Sequence, residues 1–208
     1  SAIILSTSAV LVANGEKPVS NYAKQLIKEI NLKICVDSNL SIFRELDIEP
    51  DVIIGDIDTV EINTASSEST IVVVEDQNQT DLEKSLNYCI AENIKNIYII
   101  GATGERDDHN LANILIAQGY SDILNIEIVT NYFQIFFVNE SKEILEKKHR
   151  NLSMISMIAD NRITTSGLKF NLSDQKLNSF SHGISNQIIA DKCLIKAKEK
   201  LILFIETE

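Results

Sequence analysis

Strand-like and helix-like segments alternate along the first 131 residues, and this rhythm constrains the fold more than any other feature of the chain. Apolar runs such as Asn96–Ile100 are followed by stretches in which apolar residues recur at helical spacing, as in residues 109–120. Because helical crossovers let successive strands lie parallel, the alternation predicts an α/β domain with a mainly parallel sheet. The predicted strands lie within residues 2–14, 33–37, 52–55, 69–75, 96–100 and 126–131, and the predicted helices within residues 19–30, 40–48, 81–93 and 109–120.

The pattern of apolar and turn-forming residues changes after Asn131. From Tyr132 onward, short β-like runs are separated by turn-forming residues, and helical spacing does not persist beyond a turn or two. Short strands with turn residues between them are typical of an antiparallel β sandwich or barrel. We therefore predict two domains, at residues 1–131 and 132–208. Breaks between the strands of the second domain are expected at residues 140–142, 160–161, 172–175 and 181–186.

The overall charge and hydropathy argue against two classes of partner. The chain has 19 Lys and Arg against 30 Asp and Glu, which gives a net charge of −11, and it has no long basic stripe. Since nucleic-acid binding depends on basic residues that contact phosphates, we expect no nucleic-acid partner. Apolar runs stay well short of the ~20 residues that a membrane-spanning helix needs, so we expect no membrane partner.

Cysteine use indicates the compartment. Cys35, Cys89 and Cys193 are odd in number, far apart in the sequence and inside apolar segments. Such cysteines are typical of reduced, buried thiols in a cytoplasmic protein. The first residues also lack the basic region of a secretory signal, so we expect a cytoplasmic location.

Three acidic clusters follow predicted strands of the α/β domain. The first cluster is Asp56 and Asp58, which follow the apolar run Val52–Gly55. The second lies between a predicted strand and a predicted helix and consists of Asp76 with Gln77, then Thr80 with Asp81. The third, residues 106–109 (RDDH), follows a glycine-bearing loop. In an open α/β sheet, ligands bind beyond the carboxyl ends of the strands, so the three clusters can converge there. Carboxylates that converge suit Mg²⁺, which is held by one or two carboxylates together with water and substrate phosphates.

The glycine-bearing loop suits a phosphate group. Gly101, Thr103 and Gly104 lie between a predicted strand and a predicted helix, where backbone N–H groups can hold phosphate oxygens. Arg106 could bind such an oxygen with two parallel hydrogen bonds. Together the clusters predict a metal ion that carries the phosphates of a nucleotide. Taken singly, an Asp-x-Asp pair after a strand is more often a turn, and Asp81 is most simply a helix-start residue.

Several segments of the chain resemble the thiamine pyrophosphokinase family. The matches occur in order over nearly the whole chain, and they are ANGE (13–16), PDVIIGDIDT (50–59), DQNQTDLEKSL (76–86), GATGERDDHNLANI (101–114), TTSGLKFNL (164–172) and SHGISNQ (181–187). The resemblance implies a catalytic α/β domain that binds ATP and Mg²⁺, a β-sandwich domain that binds thiamine, and a homodimer. It implies transfer of pyrophosphate from ATP to the hydroxyl of thiamine, which gives AMP and thiamine diphosphate.

The resemblance also assigns roles to single residues. Asp56, Asp58 and Asp81 are similar to the carboxylates of the metal and phosphate site, and Asp81 or Asp108 could accept the hydroxyl proton of thiamine. The remaining residues that it places at the catalytic and nucleotide sites are Arg106, Gln77, Thr80, Gly101, Thr103, Gly104, His109 and Asn113. The residues that it places at the thiamine-contacting loop are Ser185 and Asn186.

The sequence departs from the family pattern at two places. Ser38 and Asn39 follow Asp37 where the family often has two glycines, and this loss closes some backbone space near Asp37. Glu105 stands where the family often has glycine, and it adds negative charge beside the expected phosphate site. The chain also contains no Trp, so an aromatic contact with thiamine would have to come from Phe or Tyr.

Two other functions remain open from the sequence alone. The run IIGDIDTV also resembles the first motif of haloacid-dehalogenase-type phosphatases, and Thr130 could supply the strand-end hydroxyl of such an enzyme. The late acidic pair that these phosphatases need is missing after Thr130. The non-enzymatic alternative is a nucleotide-binding module that kept the fold and lost turnover, and the departures from the family pattern are its support.

Overall fold

The computed structural model describes residues 7–37, 40–56 and 68–207. The chain divides into two compact units, residues 1–131 and 132–208. The division lies where the pattern of apolar and turn-forming residues changes. Among the described residues, no helix has both the length and the apolar character needed to cross a membrane. Cys35, Cys89 and Cys193 are free thiols, and all three are buried.

The first unit is built on a parallel sheet. Its described strands are β1 (Ser8–Val12), β2 (Leu32–Val36), β3 (Val52–Gly55), β4 (Thr70–Val73), β5 (Asn96–Ile100) and β6 (Asn125–Val129). They lie in the order β4-β3-β2-β1-β5-β6, and every neighbouring pair is parallel. The predicted parallel α/β sheet is therefore confirmed.

The strand order reverses at β1, which lies between β2 and β5. Every residue of β1 is buried, as expected for a central strand that is covered on both faces. At such a reversal the chain leaves neighbouring strands toward opposite faces of the sheet, and this opens a crevice at the carboxyl ends of the strands. The topology thus places a ligand crevice at the ends of β1 and β5.

Helices cover this sheet. The described α-helices of the first unit are α1 (Asn21–Glu29), α2 (Ser41–Glu45), α3 (Asp81–Ala91) and α4 (Asp107–Tyr120). Helix α2 is shorter than the predicted segment 40–48, because Asp47 takes a left-handed φ of 54° and stops it. Helix α4 begins two residues earlier than predicted, because Asp107 and Asp108 form its first turn, where acidic side chains are favoured by the helix dipole.

The second unit is an antiparallel β domain, as predicted. Its strands are β7 (Phe133–Leu145), β8 (Asn151–Ile155), β9 (Ile163–Ser166), β10 (Asn186–Gln187) and β11 (Lys192–Glu206), and a short 3₁₀ turn spans Phe180–Gly183. Strand β11 pairs with β7 along its length, with β9 at its first half and with β8 at its second half. The core of this unit includes Leu152, Ile163 and Leu203, which are fully buried.

The predicted break at residues 140–142 is wrong, because β7 continues through it. Ser141 pairs with Lys196 of β11, and the pairing resumes beyond a register shift between Ala197 and Leu201. Glu140, which has a left-handed φ of 72°, lies opposite Ala197 at the edge of this shift. The polar run therefore marks a bulge in the long pairing of β7 with β11 and does not mark a turn.

Candidate active site

A cleft of about 200 Å³ lies at the carboxyl ends of the strands of the first unit. Its walls come from the loops after β1, β2 and β5 and from the first turns of α3 and α4, and they include Asn14, Asp37, Asp81, Gly104, Arg106 and His109. This is the crevice that the reversal of strand order predicts. Side chains from several parts of the chain are thereby brought to one place.

The loops after β1 and β5 are joined backbone to backbone. The N–H of Ala13 donates to Ile100 O at 2.8 Å, and that of Gly15 donates to Gly101 O at 2.7 Å. A Cβ on Gly15 would lie 2.4 Å from Gly101 O and 2.5 Å from the carbonyl oxygen of Thr103, so the position has no room for a side chain. Gly101 has a φ of 72°, which glycine adopts without strain. The two loops therefore form one rigid wall of the cleft.

A capping box fixes the start of α3. Thr80 Oγ1 accepts a hydrogen bond from the N–H of Glu83, and Glu83 Oε2 accepts one from the N–H of Thr80, each at 3.3 Å. These two bonds satisfy N–H groups that a helix start leaves without partners. Because the helix start is fixed, the side chain of Asp81 projects into the cleft from a defined position.

Lys84 joins the first two acidic clusters. Its Nζ donates to Asp56 Oδ1 at 2.8 Å and to Asp81 Oδ1 at 3.3 Å, and only 2% of its side chain is exposed. Burial lowers the pKa of Lys84, but the hydrogen bonds with the two carboxylates outweigh it, so the pKa lies above its usual value. The ammonium group therefore stays charged and supplies the positive charge on which these two aspartates converge.

Asp37 adds a further carboxyl group to this cluster. Burial raises its pKa, the carboxylate of Asp81 and a hydrogen bond shared with Asp81 raise it further, and a hydrogen bond from Asn14 opposes the change. The backbone of Asp37 is left-handed, with a φ of 57°, and its N–H donates to Ile54 O at 2.8 Å.

Arg106 and Asp108 form an exposed ion pair at the rim of the cleft. The guanidinium donates from Nε to Asp108 Oδ1 at 3.2 Å and from a terminal nitrogen to Oδ2 at 2.8 Å. The hydrogen bond from Arg106, together with one from the N–H of His109, lowers the pKa of Asp108 to about 2. A carboxylate held in this way is a weak proton acceptor.

Two asparagines of α4 line the cleft. The Nδ2 of Asn113 donates to Ala102 O at 2.8 Å, so this side chain supports the loop after β5. Asn110 Oδ1 is buried and has no hydrogen-bond partner among the described residues. A buried acceptor without a partner is costly, and a donor group of a bound ligand would satisfy it.

The cleft wall does not include four of the residues expected at this site, namely Asp56, Gln77, Thr103 and Asp108. Gln77 lies in an exposed turn before α3, outside the cleft wall. The carbonyl oxygen of Thr103 accepts a hydrogen bond from the N–H of Glu16 at 2.8 Å, so Thr103 helps to join the loops after β1 and β5. Asp58 lies outside the described residues. Within the described part of the chain, no group of three His, Cys, Asp or Glu side chains is spaced to hold a metal ion.

The second unit contains the loop with Ser185 and Asn186. Asn186 is buried, its Oδ1 accepts from the N–H of Phe170 at 3.1 Å, and its Nδ2 donates to Phe170 O at 2.7 Å. Phe170 itself is 64% exposed. Ser185 is exposed, has a φ of 59° and donates its N–H to Ser153 Oγ at 3.0 Å. Asn186 thus supports the loop that presents an aromatic ring to solvent.

The sequence analysis did not identify Lys84 or Asn110 as residues of the site. It also did not predict that the carboxyl group of Asp37 interacts with that of Asp81. The available signal for Lys84 was its spacing, because residues three apart on a helix lie on the same face and Lys84 follows Asp81 by three. Asn110 follows Arg106 by four and faces the same cleft for a similar reason. Asp37 follows a predicted buried strand, as Asp56 does.

Comparisons with known proteins agree with this arrangement. A family model described as "Thiamin pyrophosphokinase, catalytic domain" matches residues 23–129, and one described as "Thiamin pyrophosphokinase, vitamin B1 binding domain" matches residues 139–202. Thiamin pyrophosphokinase 1 of Caenorhabditis elegans is 25% identical over 97% of this chain and 90% of its own length. Thiamine pyrophosphokinase of Bacillus subtilis is 26% identical over 95% of this chain and 97% of its own length.

Solved structures agree as well. The crystal structure of thiamine pyrophosphokinase from Bacillus subtilis superposes with a TM-score of 0.83 at 26% identity and covers 97% of this chain and 99% of its own. Thiamin pyrophosphokinase from Candida albicans superposes with a TM-score of 0.80 over 99% of this chain and 91% of its own, at 17% identity, and supports the fold alone. With two family domains matched in order over most of its length, the chain belongs to the thiamin pyrophosphokinase family.

Proposed function

We propose that this chain transfers the pyrophosphoryl group of ATP to the hydroxyl oxygen of thiamine, the activity for which its family is named. The observation that carries the proposal is the match of both family domains, in order, to the two compact units of the chain. In this reaction a bond forms between the hydroxyl oxygen and the β-phosphorus, and the bond between that phosphorus and the oxygen of AMP breaks. The hydroxyl proton passes to a carboxylate. The family assignment gives the phosphatase alternative no support.

The cleft of the first unit suits the triphosphate of ATP. Helix α4 directs its positive end toward this cleft, and the rigid loop pair beside it holds the backbone of Gly101 and Gly104 in place. Arg106 lies at the rim, where it can exchange its pairing with Asp108 for a phosphate oxygen. Asn110 Oδ1 offers an acceptor for a hydroxyl or amino group of the nucleotide.

A divalent cation fits the pair of carboxylates that Lys84 joins. The described carboxylates of Asp56 and Asp81 already converge on one positive charge, the ammonium of Lys84, which stands in for a cation. Oxygen ligands of this kind suit Mg²⁺. We assign Asp56, Asp58 and Asp81 to this ion, which when bound would neutralise phosphate charge as the pyrophosphoryl group moves.

Asp81 is the stronger candidate for the proton acceptor. Asp108, the other carboxylate considered, has a pKa of about 2 because Arg106 and the N–H of His109 hold its charged form. A general base works best when its pKa lies near the working pH, so Asp108 is poorly suited in this arrangement. Asp81 projects into the cleft from the fixed start of α3.

We assign thiamine to the second unit, at the loop with Phe170, Ser185 and Asn186. The ring of Phe170 is exposed and can stack on an aromatic base, and Asn186 holds the backbone of Phe170 by two hydrogen bonds. Ser185 adds an exposed hydroxyl beside it. We further place the enzyme in the cytoplasm, since its three cysteines are free, and we propose a homodimer.

An assay for AMP release, with and without thiamine, tests the function. We expect AMP to form from ATP and Mg²⁺ only when thiamine is present, with thiamine diphosphate in equal amount. AMP or phosphate release without thiamine would indicate a phosphatase or hydrolase, and no release would indicate a binding module. Asp56→Asn should lower turnover by orders of magnitude in a folded protein, whereas near-normal turnover in saturating Mg²⁺ would remove Asp56 from the site.

A further inference from the structure

Lys84 is a buried cation whose position depends on two acidic partners. Its ammonium lies between Asp56 Oδ1 and Asp81 Oδ1, at 2.8 Å and 3.3 Å, and its side chain is almost fully buried. Burying an ammonium is costly unless opposite charges and hydrogen bonds compensate for the lost water. The two carboxylates provide that compensation, and without Lys84 they would repel each other and the nearby carboxyl of Asp37.

The same two carboxylates are among the three that the proposed function assigns to a divalent cation. An ammonium and a divalent ion that bind the same pair of carboxylates lie only a few ångströms apart, where like charges repel strongly in a partly buried site. Full occupancy of both positions is therefore unfavourable. One of the cations has to withdraw when the other binds.

We propose that Lys84 is the exchangeable cation of this site: it neutralises Asp56 and Asp81 while no divalent cation is bound, and it releases them when one binds. The inference rests on the proposed function, since it concerns the metal of that reaction. Lysine suits this role because its four-carbon stem turns about several bonds and its three donors have no fixed geometry. The released ammonium remains beside the cleft, where it can bind a phosphate oxygen as a point charge.

This exchange has two measurable consequences. Lys84 stabilises the metal-free protein, because it removes repulsion among the acidic side chains. It also weakens metal binding, because the incoming ion has to displace it. A lysine with a purely structural role would stabilise the metal-free protein without weakening metal binding. A bound metal ion would then not restore the stability that is lost with the lysine.

The test compares Lys84→Met with Lys28→Met in the full chain. Methionine keeps the apolar stem of lysine and removes its charge, and Lys28 is exposed on α1, outside the cleft wall, so the control makes the same change of net charge. Binding of Mn²⁺ is followed by the electron paramagnetic resonance of the free ion, and unfolding by circular dichroism with and without Mn²⁺.

We expect Lys84→Met to bind Mn²⁺ roughly tenfold more tightly than the wild type, because a neighbouring positive charge is gone. Its metal-free melting temperature should fall by several degrees, and Mn²⁺ should restore most of the loss. Lys28→Met should match the wild type in both measurements. If Lys84→Met folds only in Mn²⁺, that result supports the exchange, and Lys84→Gln then provides the affinity comparison.

Two results would overturn the proposal, and they are distinguishable. Unchanged or weaker Mn²⁺ binding by Lys84→Met, with a loss of stability that the metal does not restore, would make Lys84 a structural residue alone and leave the proposed function standing. Failure of the wild type to bind Mn²⁺ at millimolar concentration would instead contradict the metal site of the proposed function, and the exchange with it.

Discussion

At the scale of single residues, Asn186 positions a second residue, Phe170. It is buried, and both ends of its amide are used by the backbone of Phe170, whose ring is exposed. If Phe170 stacks on thiamine, loss of Asn186 should misplace the ring without removing it. The amide then determines substrate affinity although it need not touch the substrate.

We predict that Asn186→Ala raises the KM for thiamine at least tenfold and leaves the KM for ATP nearly unchanged. Phe170→Ala should have a similar effect, and the double variant should be little worse than either single one, because both changes remove the same contact. Ser185→Ala removes only an exposed hydroxyl and should have a smaller effect. Steady-state kinetics with each substrate varied provides the measurement, and a normal KM for thiamine in Asn186→Ala would contradict the assignment.

The cysteines give a second prediction at this scale. Burial raises the pKa of Cys35 and of Cys89 to about 12 and that of Cys193 to about 11, and Asp37 adds to the effect at Cys35. Since a raised pKa keeps a thiol protonated, thiolate should be negligible at pH 8, and the thiolate is the reactive form. We expect no rapid reaction with Ellman's reagent in the native protein and three equivalents after denaturation. Rapid reaction of any thiol in the native state would show that its burial is incomplete.

The residues of the candidate site could be predicted from sequence only in part. Asp56 and Asp81 could be found, because acids after predicted strands of a parallel sheet must meet at one edge of it. The spacing from Asp81 places Lys84 on the same face of the helix, but it does not show that the side chain is buried, because a lysine between Glu83 and Ser85 in an amphipathic helix normally faces solvent. Its burial depends on where the end of β3 lies relative to α3, and that is a property of the tertiary structure.

At the scale of elements, the loops after β1 and β5 act as one unit. They share backbone hydrogen bonds, and Gly15 sits where these loops approach most closely. The wall of the cleft therefore depends on a position that has no side chain. This explains why the short segment ANGE accompanies the longer glycine-bearing motif in the sequence.

We predict that Gly15→Ala destabilises the protein by about 1–3 kcal/mol, as expected for overpacking, and lowers kcat by displacing the loop after β5. The matched control is Gly119→Ala in α4, where an added Cβ meets nothing within 4 Å and the helix gains up to about 1 kcal/mol. Urea unfolding and kcat for the two variants test this. Equal stability of the two variants would show that the loops separate easily.

Whether a segment forms a helix or a strand could be predicted better than the residues at which it begins and ends. Apolar spacing identified most strands and helices of the first unit because they bury one face or both, although β4 has no buried residue. It failed at β7, where polar residues around Glu140 were interpreted as a turn. A bulge and a turn share the same residue types, and only the pairing with β11 distinguishes them.

At the scale of the whole molecule, the second unit exposes a group of large apolar side chains. Ile158 and Phe180 are 42% and 64% exposed, and with Leu177 they line a shallow cavity of about 320 Å³. Met157 and Ile184 are exposed as well. Exposed apolar groups of this kind are typical of surfaces that bind another protein, and a second copy of the chain is the partner that the family resemblance implies.

We therefore predict a homodimer that uses this apolar group. Light scattering at micromolar concentration should give twice the chain mass of 23.2 kDa. Phe180→Glu should shift the protein toward the monomer, because a buried charge without a partner is costly at an interface. The control is Leu111→Glu, which also replaces an exposed apolar residue by a charged one, since Leu111 of the first unit is 62% exposed. It should leave the measured mass unchanged. A monomeric wild type would contradict the dimer, and a dimeric Phe180→Glu protein would place its interface on another surface.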